Sequence, residues 1–251
     1  MTAPTTAPGL RLEGSLAFGA QALFRDLVLE IPAGRWTCLL GPSGVGKSTV
    51  LRLIAGLEVS GTFTGRVAAS DGAALAGRVA WTGQADQLAP WLDVTDNVVL
   101  GARLRGEAPD RARAAALIDS VGLTEHAAKT PRMLSGGMRQ RAALARLLME
   151  DRPVALLDEP FAALDMKRRA EMQDLAARAL AGRTVVHVTH DPHEAARLAH
   201  HVLLLTEAGV EALTPPPGAP PRPPAAAEVM AAQAAWIRVL TAAELGPEAA
   251  G

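Results

Sequence analysis

The glycine-rich stretch at residues 41–49 constrains this chain more than any other part of its sequence. It reads Gly-Pro-Ser-Gly-Val-Gly-Lys-Ser-Thr, follows a strand-like apolar run at residues 36–40 and opens an apolar helical pattern at residues 47–57. This order is typical of a phosphate-binding loop, in which glycines let backbone N–H groups surround phosphates at a helix N-terminus. The predicted nucleotide contacts in this phosphate loop are Gly41, Pro42, Ser43, Gly44, Val45, Gly46, Lys47, Ser48 and Thr49.

Two side chains of the phosphate loop have predicted chemical roles. Lys47 is expected to reach the β- and γ-phosphates of the nucleotide, and the Ser48 hydroxyl is expected to bind Mg²⁺. The alternative is a chance glycine-rich turn, which composition alone produces on the order of 1% of the time in a chain of this length. The flanking strand and helix make that alternative rarer still.

Composition limits the remaining classes of protein. A chain of 251 residues fits one large domain, or one domain with a smaller insertion. Its formal net charge of -1 weakens a nucleic-acid role, and its one cysteine, Cys38, has no intrachain disulfide partner, which favours a reducing cytosol. No signal peptide and no apolar run of the roughly 20 residues that cross a bilayer is recognisable. A membrane connection would therefore come through a partner.

Strand-like and helix-like runs alternate along most of the chain. The spacing predicts strands at residues 10–16, 27–31, 36–40, 62–69, 78–82, 154–157, 184–188 and 202–205. It predicts helices at residues 47–57, 165–180 and 192–199, and a helical insertion over residues 94–149. Strands that alternate with helices indicate an α/β fold with a parallel sheet.

The C-terminal part has a different composition. Residues 214–224 hold seven of the chain's 18 prolines, which predicts an extended, polyproline-like linker outside the folded core. In the Ala-rich tail at residues 225–251, an amphipathic stripe falls at helical spacing and consists of Val229, Gln233, Trp236 and Leu240. A terminal helix that packs back on its own domain is the first interpretation of this stripe, and contact with a partner is the second.

An apolar run at residues 154–157 ends in two adjacent carboxylates, Asp158 and Glu159. Carboxylates at the end of a buried strand are costly unless a cation or a proton transfer uses them. Asp158 is predicted to lie near Mg²⁺, and Glu159 to polarise the attacking water. The alternative is a strand that runs into a solvated acidic turn.

A second glycine pair lies in the sequence Leu-Ser-Gly-Gly-Met-Arg-Gln-Arg at residues 134–141, ahead of an apolar helical pattern. Ser135 is suited to cap that helix, and Gly136 and Gly137 expose backbone N–H groups to an anion. Taken alone, this is an ordinary helix N-terminus. Between a phosphate loop and a Leu-Leu-Asp-Glu-Pro strand, however, it resembles the signature of ABC-transporter ATPases.

The resemblance runs from about residue 10 to residue 213 and implies a domain organisation. It implies an ABC ATPase domain over residues 1–213, with a RecA-like P-loop NTPase core at about 10–84 and 150–213. An antiparallel β subdomain and a helical subdomain at about 85–149 complete that domain. The Pro-rich linker at 214–224 and the helical tail at 225–251 follow it.

Further positions match the family one at a time. Gln84 falls where the family places a glutamine that touches Mg²⁺ and the attacking water, although Gly83 replaces the aromatic residue usual before it. His190, in Val-Thr-His-Asp, resembles the switch histidine that contacts the γ-phosphate, and Asp165, in Ala-Leu-Asp, resembles the loop that crosses a dimer interface. The resemblance thus implies four catalytic residues, Glu159, His190, Gln84 and Lys47, and three Mg²⁺ ligands, Ser48, Gln84 and Asp158.

Phe18 lies 23 residues before Gly41, about where the family places an aromatic residue that stacks on adenine. The chain has no tyrosine, and a phenylalanine ring can stack equally well because the interaction needs only a π-face. The alternative is that Phe18 is a residue of the strand core.

The resemblance also implies a composite site. In the family, Ser135, Gly136 and Gly137 of one copy contact the γ-phosphate of the ATP that Lys47 and Ser48 of the other copy hold. The expected state is a homodimer with ATP and Mg²⁺ as cofactors, and no nucleic acid is expected as a partner.

Residues 89–98 resemble the corresponding stretch of importer ATPases for nitrate, taurine, alkanesulfonates and pyrimidine or thiamine precursors. This implies two integral-membrane permease subunits, a periplasmic substrate-binding protein and a location on the cytoplasmic face of the inner membrane. Two alternatives stay open: a cassette of an exporter or lipoprotein-release system, and an ABC ATPase without a transport role.

Overall fold

The computed structural model describes residues 7–83 and 87–245. In chain order, the strands are β1 (Leu10–Phe18), β2 (Gln21–Ile31), β3 (Trp36–Leu40), β4 (Thr62–Ala69), β5 (Val79–Thr82), β6 (Val154–Asp158), β7 (Thr184–Val188), β8 (His201–Thr206) and β9 (Gly209–Leu213). The helices are α1 (Lys47–Ile54), α2 (Val94–Val98), α3 (Leu100–Leu104), α4 (Arg111–Ser120), α5 (Gly136–Met149), α6 (Met166–Ala179), α7 (Pro192–Leu198) and α8 (Ala227–Leu245). Two 3₁₀ turns, Thr124–His126 and Pro131–Met133, precede α5.

The central sheet has six strands in the order β5-β6-β7-β3-β8-β9. Its first five strands are parallel, and β9 joins the edge by antiparallel pairing with β8. Every residue of β3, β6 and β7 is buried, as expected for parallel strands that are covered on both faces. The predicted parallel sheet is confirmed, and the β8–β9 hairpin is an addition that the sequence pattern did not reveal.

A second, antiparallel sheet has three strands in the order β2-β1-β4. Its apolar residues and those of α1 share one hydrophobic cluster with one face of the central sheet. The antiparallel β subdomain implied by the family resemblance is therefore present, and it lies on the side of the central sheet that carries α1.

The helical insertion is divided into more pieces than its apolar pattern indicated. Residues 94–149 form α2, α3, α4, two 3₁₀ turns and α5, because left-handed glycines such as Gly106 and Gly122 end individual helices. The helix predicted at residues 47–57 is also too long. It ends at Ile54, since Gly56 adopts a left-handed conformation with φ of 70°.

The C-terminal stripe packs back on the chain itself. Val229 and Trp236 are buried in the same cluster as residues of the central sheet, and α8 lies against α7. The sequence predicted an extended linker outside the folded core before α8. Within this segment, however, Arg222 is only 5% exposed. Arg222 Nη1 donates hydrogen bonds to the carbonyls of Ala196 and Ala199, and its backbone N–H donates to Arg197. This proline-rich segment is thus attached to the end of α7.

None of the helices in the described ranges is long and apolar enough to cross a membrane.

Candidate functional site

The phosphate loop joins the carboxyl end of β3 to the N-terminus of α1. Gly41 has φ of 152°, and a Cβ atom there would lie 2.2 Å from the Leu205 carbonyl oxygen, so only glycine fits. Gly46 caps α1 in a left-handed conformation and has no side chain to occupy the free N–H groups of the first turn. The loop therefore presents uncapped backbone donors of the kind that bind phosphate.

Lys47 lies at the first position of α1 and is largely buried. Its ammonium donates hydrogen bonds to the carbonyl oxygens of Gly41 and Pro42, each at 2.7 Å. The lysine side chain is thus folded back over its own loop, with its charge at the Gly41 and Pro42 carbonyls.

Ser48 and Asp158 meet across the gap between α1 and β6. The Ser48 hydroxyl donates to Asp158 Oδ1 at 3.0 Å, and Asp158 is buried at the end of its strand. Two adjacent oxygen atoms suit a hard cation such as Mg²⁺, which usually takes one or two protein oxygens and completes its shell with phosphates and water. These two oxygens therefore fit an ion that phosphates of a nucleotide also bind. No cluster of three or more His, Cys, Asp and Glu side chains able to hold a metal occurs among the described residues.

Glu159 and His190 come together at the carboxyl ends of β6 and β7. Glu159 Oε1 lies 3.1 Å from His190 Nδ1, and the Glu159 N–H donates to the Val188 carbonyl at 3.0 Å. Glu159 has φ of 49°, a left-handed conformation that is unfavourable for a non-glycine residue and is often found at functional sites. The sharp turn at the end of β6 thus directs the Glu159 carboxylate towards His190.

The signature turn, residues 134–137, lies against another turn of the same chain. Ser135 caps α5 by accepting a hydrogen bond from the Met138 N–H at 3.3 Å, as predicted for a cap. A Cβ atom at Gly137 would lie 3.1 Å from the Ala163 carbonyl oxygen. The small residues of the signature turn therefore permit close contact with residues 163–165, which we call the interface turn.

Asp165, the residue predicted at a dimer interface, ends the interface turn and caps α6. Its side chain accepts a hydrogen bond from the Arg168 N–H at 3.0 Å. The carboxylate is exposed in the single chain.

A cavity of about 890 Å³ lies beside the phosphate loop. It is bordered by the loop itself, by residues of β2, by the β8–β9 turn and by Ala243 of α8. None of the described residues that line it belongs to the signature turn, so a single chain does not bring the signature glycines to this space.

Phe18 ends β1 and is 41% exposed, which contradicts the alternative of a core residue. Its ring lies close to Gly61, where a Cβ atom would approach it to 3.1 Å, and it does not line the large cavity. Stacking on adenine stays a prediction. Gln84 lies outside the described residues, so its predicted role also stays a prediction.

Sequence reasoning missed Gln140, a functional contact on the signature helix. Its Oε1 accepts a hydrogen bond from the Ala163 N–H at 2.8 Å, and its Nε2 donates to the Glu159 carbonyl at 3.5 Å. One side chain thus joins α5 to both the interface turn and the turn at Glu159. Its place in Met-Arg-Gln-Arg was the available signal, but no spacing rule indicated its contacts.

A buried polar group below His190 was also missed. Burial raises the pKa of Glu194, on α7, to about 7, although Thr189 Oγ1 donates a hydrogen bond to Glu194 Oε2 at 2.8 Å. Complete burial lowers the pKa of His187, on β7, to about 3. His187 Nε2 lies 3.5 Å from Glu194 Oε2, so two titratable groups pack directly under the turn that carries His190.

These features share the carboxyl edge of the central sheet. The phosphate loop borders a large cavity and carries an ammonium, two oxygens suit a divalent cation, and a carboxylate lies beside a histidine. Such a set is suited to transfer of a phosphoryl group to water, because it supplies charge neutralisation, a cation site and a proton acceptor.

Comparisons with known proteins agree with this chemistry. The sequence model described as ABC transporter matches residues 24–162. The aliphatic sulfonates import ATP-binding protein SsuB 1 of Rhodococcus jostii is 47% identical over 191 residues, which cover 75% of this chain and 75% of that protein. An uncharacterized ABC transporter ATP-binding protein of Haemophilus influenzae is 45% identical over 193 residues, which cover 76% of this chain and 79% of that protein.

A solved structure resembles the fold. It is a dimeric post-hydrolysis state of an ATP-binding cassette bound to ADP and Pi, with a TM-score of 0.71 and 29% identity. The match covers 82% of this chain and 99% of that one.

Proposed function

This chain belongs to the ABC transporter family and is an ATPase, and we propose that it powers bacterial import of a small anion of the aliphatic sulfonate class through a separate permease. The observation that carries the catalytic part is the contact of Glu159 with His190 at 3.1 Å, next to the Ser48–Asp158 pair. The family resemblance of residues 89–98 and the name of the Rhodococcus relative support the import part.

In this proposal, the phosphate loop binds the nucleotide. Its backbone N–H groups and the Lys47 ammonium hold the phosphates of ATP, and Phe18 stacks on adenine. Ser48, Asp158 and Gln84 hold Mg²⁺, which when bound neutralises phosphate charge. The chain's own contribution is to orient the triphosphate and to exclude alternative positions of it.

Glu159 is the proposed general base. Its carboxylate takes a proton from the attacking water, and His190, within 3.1 Å of that carboxylate, contacts the γ-phosphate. Gln84 orients the same water. Hydrolysis then produces ADP and phosphate, and their lower affinity for the closed site lets the assembly reopen.

The active unit is proposed to be a homodimer with two composite sites. The signature turn of one copy, through Ser135, Gly136 and Gly137, completes the site that the phosphate loop of the other copy forms, and Asp165 lies at the junction. The absence of signature residues from the described lining of the loop cavity supports this, as does the dimeric state of the similar cassette.

Mixing two inactive variants tests the composite site. Lys47→Ala removes the phosphate contact, and Ser135→Arg blocks the signature turn, so neither variant alone forms an intact site. In a mixed dimer, the intact loop of one copy meets the intact signature turn of the other. Equal mixtures are expected to recover about a quarter of wild-type ATPase activity if copies pair at random and sites act independently.

The control for this mixture is Lys47→Ala combined with a second loop variant, Ser48→Ala, which leaves no intact loop in any pairing. No recovery in the first mixture, with mixed dimers demonstrated by crosslinking, would show that each chain hydrolyses ATP with its own signature turn.

The transport role needs a membrane partner. The proposed location is the cytoplasmic face of the membrane, with two permease subunits and a periplasmic binding protein as further components. Trp91 and Leu104, in the helical region, are 78% and 79% exposed, which offers a permease an apolar surface to cover.

Reconstitution with the permease encoded beside this chain tests the import role. We expect ATP-dependent uptake of a labelled alkanesulfonate and weaker uptake of nitrate. ATP-dependent loss of the compound from loaded vesicles would identify an exporter instead.

A further inference from the structure

Arg169, in the first turn of α6, contacts two separate turns of the site. Its Nη2 donates to the Leu164 carbonyl of the interface turn at 3.2 Å. Its Nη1 donates to Asp191 Oδ2 at 3.3 Å, and Asp191 is the residue after His190. One planar guanidinium therefore spans from the interface turn to residues 189–191, which we call the switch turn.

Several hydrogen bonds hold the switch turn in place, so that a change at Asp191 affects the whole turn. Asp191 Oδ1 accepts a hydrogen bond from the His193 N–H at 2.8 Å and caps α7, while the Asp191 N–H donates to Thr189 Oγ1 at 3.0 Å. Thr189 Oγ1 in turn donates to the buried Glu194 carboxyl at 2.8 Å. A displacement of Asp191 is thus transmitted to the neighbouring His190 instead of being absorbed by a loose loop.

The same guanidinium approaches the catalytic carboxylate across a small space. A cavity of about 40 Å³ is lined by Arg169, Glu159, His190 and Glu194, among others. Arg169 Nε is buried at this cavity without a hydrogen-bond partner and lies 3.9 Å from Glu194 Oε1. Arg169 is therefore positioned between the interface turn and the pair that performs the chemistry, but it does not contact Glu159 itself.

We propose that Arg169 is a positioning residue that couples the interface turn to the switch turn, so that docking of a second copy sets the position of His190. This inference rests on the proposed function. A guanidinium suits the role because its donors are fixed in one plane, so the Leu164 carbonyl and the Asp191 carboxylate cannot move independently while both bonds persist.

The adjacent Arg168 provides a matched control. It belongs to the same helix turn, its side chain is 51% exposed, and it pairs with Glu171 at 3.3 Å on the helix surface. Among the described residues, the Arg168 side chain makes no hydrogen bond or ion pair with either turn. Arg168→Ala removes one positive charge, as Arg169→Ala does, but leaves the hydrogen bonds of Arg169 to Leu164 and Asp191 in place.

The test compares Arg169→Ala, Arg169→Lys and Arg168→Ala in the full-length dimeric protein. For Arg169→Ala, we expect kcat to fall about tenfold, the Kd of the isolated chain for ATP to stay within about twofold, and the Hill coefficient for ATP to fall to about one. Arg169→Lys is expected to recover little, because one ammonium does not span both acceptors. Arg168→Ala is expected to behave as wild type.

A second variant separates coupling from folding. Asp191→Asn retains a good helix cap but removes the charge that Arg169 contacts. We expect it to lower kcat and the Hill coefficient as Arg169→Ala does, and the double variant to be no worse than Arg169→Ala alone.

The coupling role would be overturned by wild-type kcat and Hill coefficient in Arg169→Ala, or by losses that simply add in the double variant of Arg169→Ala and Asp191→Asn. Equal losses of ATP affinity and thermal stability would also count against it, since they indicate a structural role alone. If the wild-type chain hydrolyses ATP and mixed variants complement each other, such results refute only the coupling and leave the composite site intact.

Discussion

The N-termini of α1 and α5, at which the sequence predicts phosphate contacts, differ in the groups that surround them. At α1, the uncapped N–H groups lie beside the Lys47 ammonium and the Ser48–Asp158 pair. At α5, the Ser135 hydroxyl occupies one N–H group, and the turn itself carries no charged side chain. The first N-terminus thus has charged and metal-binding side chains beside it, while the second is neutral and, in the proposed function, meets the phosphate only in a dimer.

The hydrogen bonds that hold these two helix N-termini also differ, because those near α1 join residues far apart in the sequence and those near α5 are mostly local. The Ser48–Asp158 bond joins residues 110 positions apart in the sequence, and Glu159–His190 joins two different strand ends. The signature turn is held mostly by local bonds, such as the one from Arg139 Nη1 to the Leu134 carbonyl. This difference supports the proposed composite site, in which ATP binds to the phosphate loop of one copy and the signature turn of a second copy closes over it.

The largest expected effect belongs to Glu159 at the complete site. Glu159→Gln retains the size of the side chain but removes its ability to accept a proton, so kcat is expected to fall by about 10²–10⁴-fold. ATP binding persists, and an ATP-bound dimer accumulates that size-exclusion chromatography detects. ATPase activity near the wild-type level would exclude Glu159 as the base.

Lys47→Ala is expected to weaken binding itself. Charge-assisted hydrogen bonds contribute about 1.5–3 kcal/mol, so the affinity of the monomer for ATP is expected to fall about 10- to 100-fold. Equilibrium titration with a fluorescent ATP analogue measures this. Lys129→Ala, a variant of the helical region, is the control and is expected to bind as wild type. Equal affinities in the two variants would contradict the role of the loop cation.

Variants of Ser135 sharpen the comparison, because they are expected to spare ATP binding by the monomer. Ser135→Ala loses a helix cap, which costs about 1 kcal/mol of unfolding free energy. Ser135→Asp restores the cap but places a negative charge where the phosphate of a second copy arrives. Denaturant unfolding is expected to show a stable Ser135→Asp protein, and ultracentrifugation is expected to show that it no longer dimerises with ATP. Normal ATP-dependent dimerisation of Ser135→Asp would place the signature turn away from the nucleotide.

The smallest expected effect is on how the stability of the protein varies with pH, and it comes from the buried residues Glu194 and His187. Since the pKa of Glu194 is raised from 4.5 to about 7, its stabilising contribution is complete below pH 4.5 and is lost as pH rises through 7. The pKa of His187 is lowered from 6.5 to about 3, so its contribution is present above pH 6.5 and is lost as pH falls towards 3. Between pH 4.5 and 6.5 the two trends oppose each other.

Glu194→Gln removes the decrease in stability with rising pH that the raised pKa of Glu194 causes. The melting temperature of the variant is expected to rise more steeply than that of wild type between pH 5 and 6.5, by a few degrees in total. Glu211→Gln, on the exposed face of β9, is the control and is expected to follow the wild-type curve. A constant offset between Glu194→Gln and wild type at every pH would show that Glu194 does not titrate in this range.

The sequence predicted the local elements at both helix termini well. The phosphate loop, the Ser135 cap and the carboxylates after β6 each depend on neighbours within a few residues, where glycine conformation, capping and apolar runs are decisive. The parallel sheet also followed from the alternation of strands and helices. The exact ends of α1 and the division of the helical region depended on left-handed glycines whose conformation the apolar pattern does not reveal.

What the sequence determined by itself is therefore the chemistry available at each turn: Lys47 and Ser48 in a glycine-rich loop, Glu159 after a buried strand, and Ser135 before a helix. Only the tertiary structure decided which turns contact each other. Gln140 joins α5 to the interface turn, Arg169 joins that turn to the switch turn, and Arg222 attaches the C-terminal segment to α7. The reason is that arginine and glutamine are common on exposed helix faces, and the partner of a long polar side chain depends on how the helices pack, not on the residues beside it in the sequence.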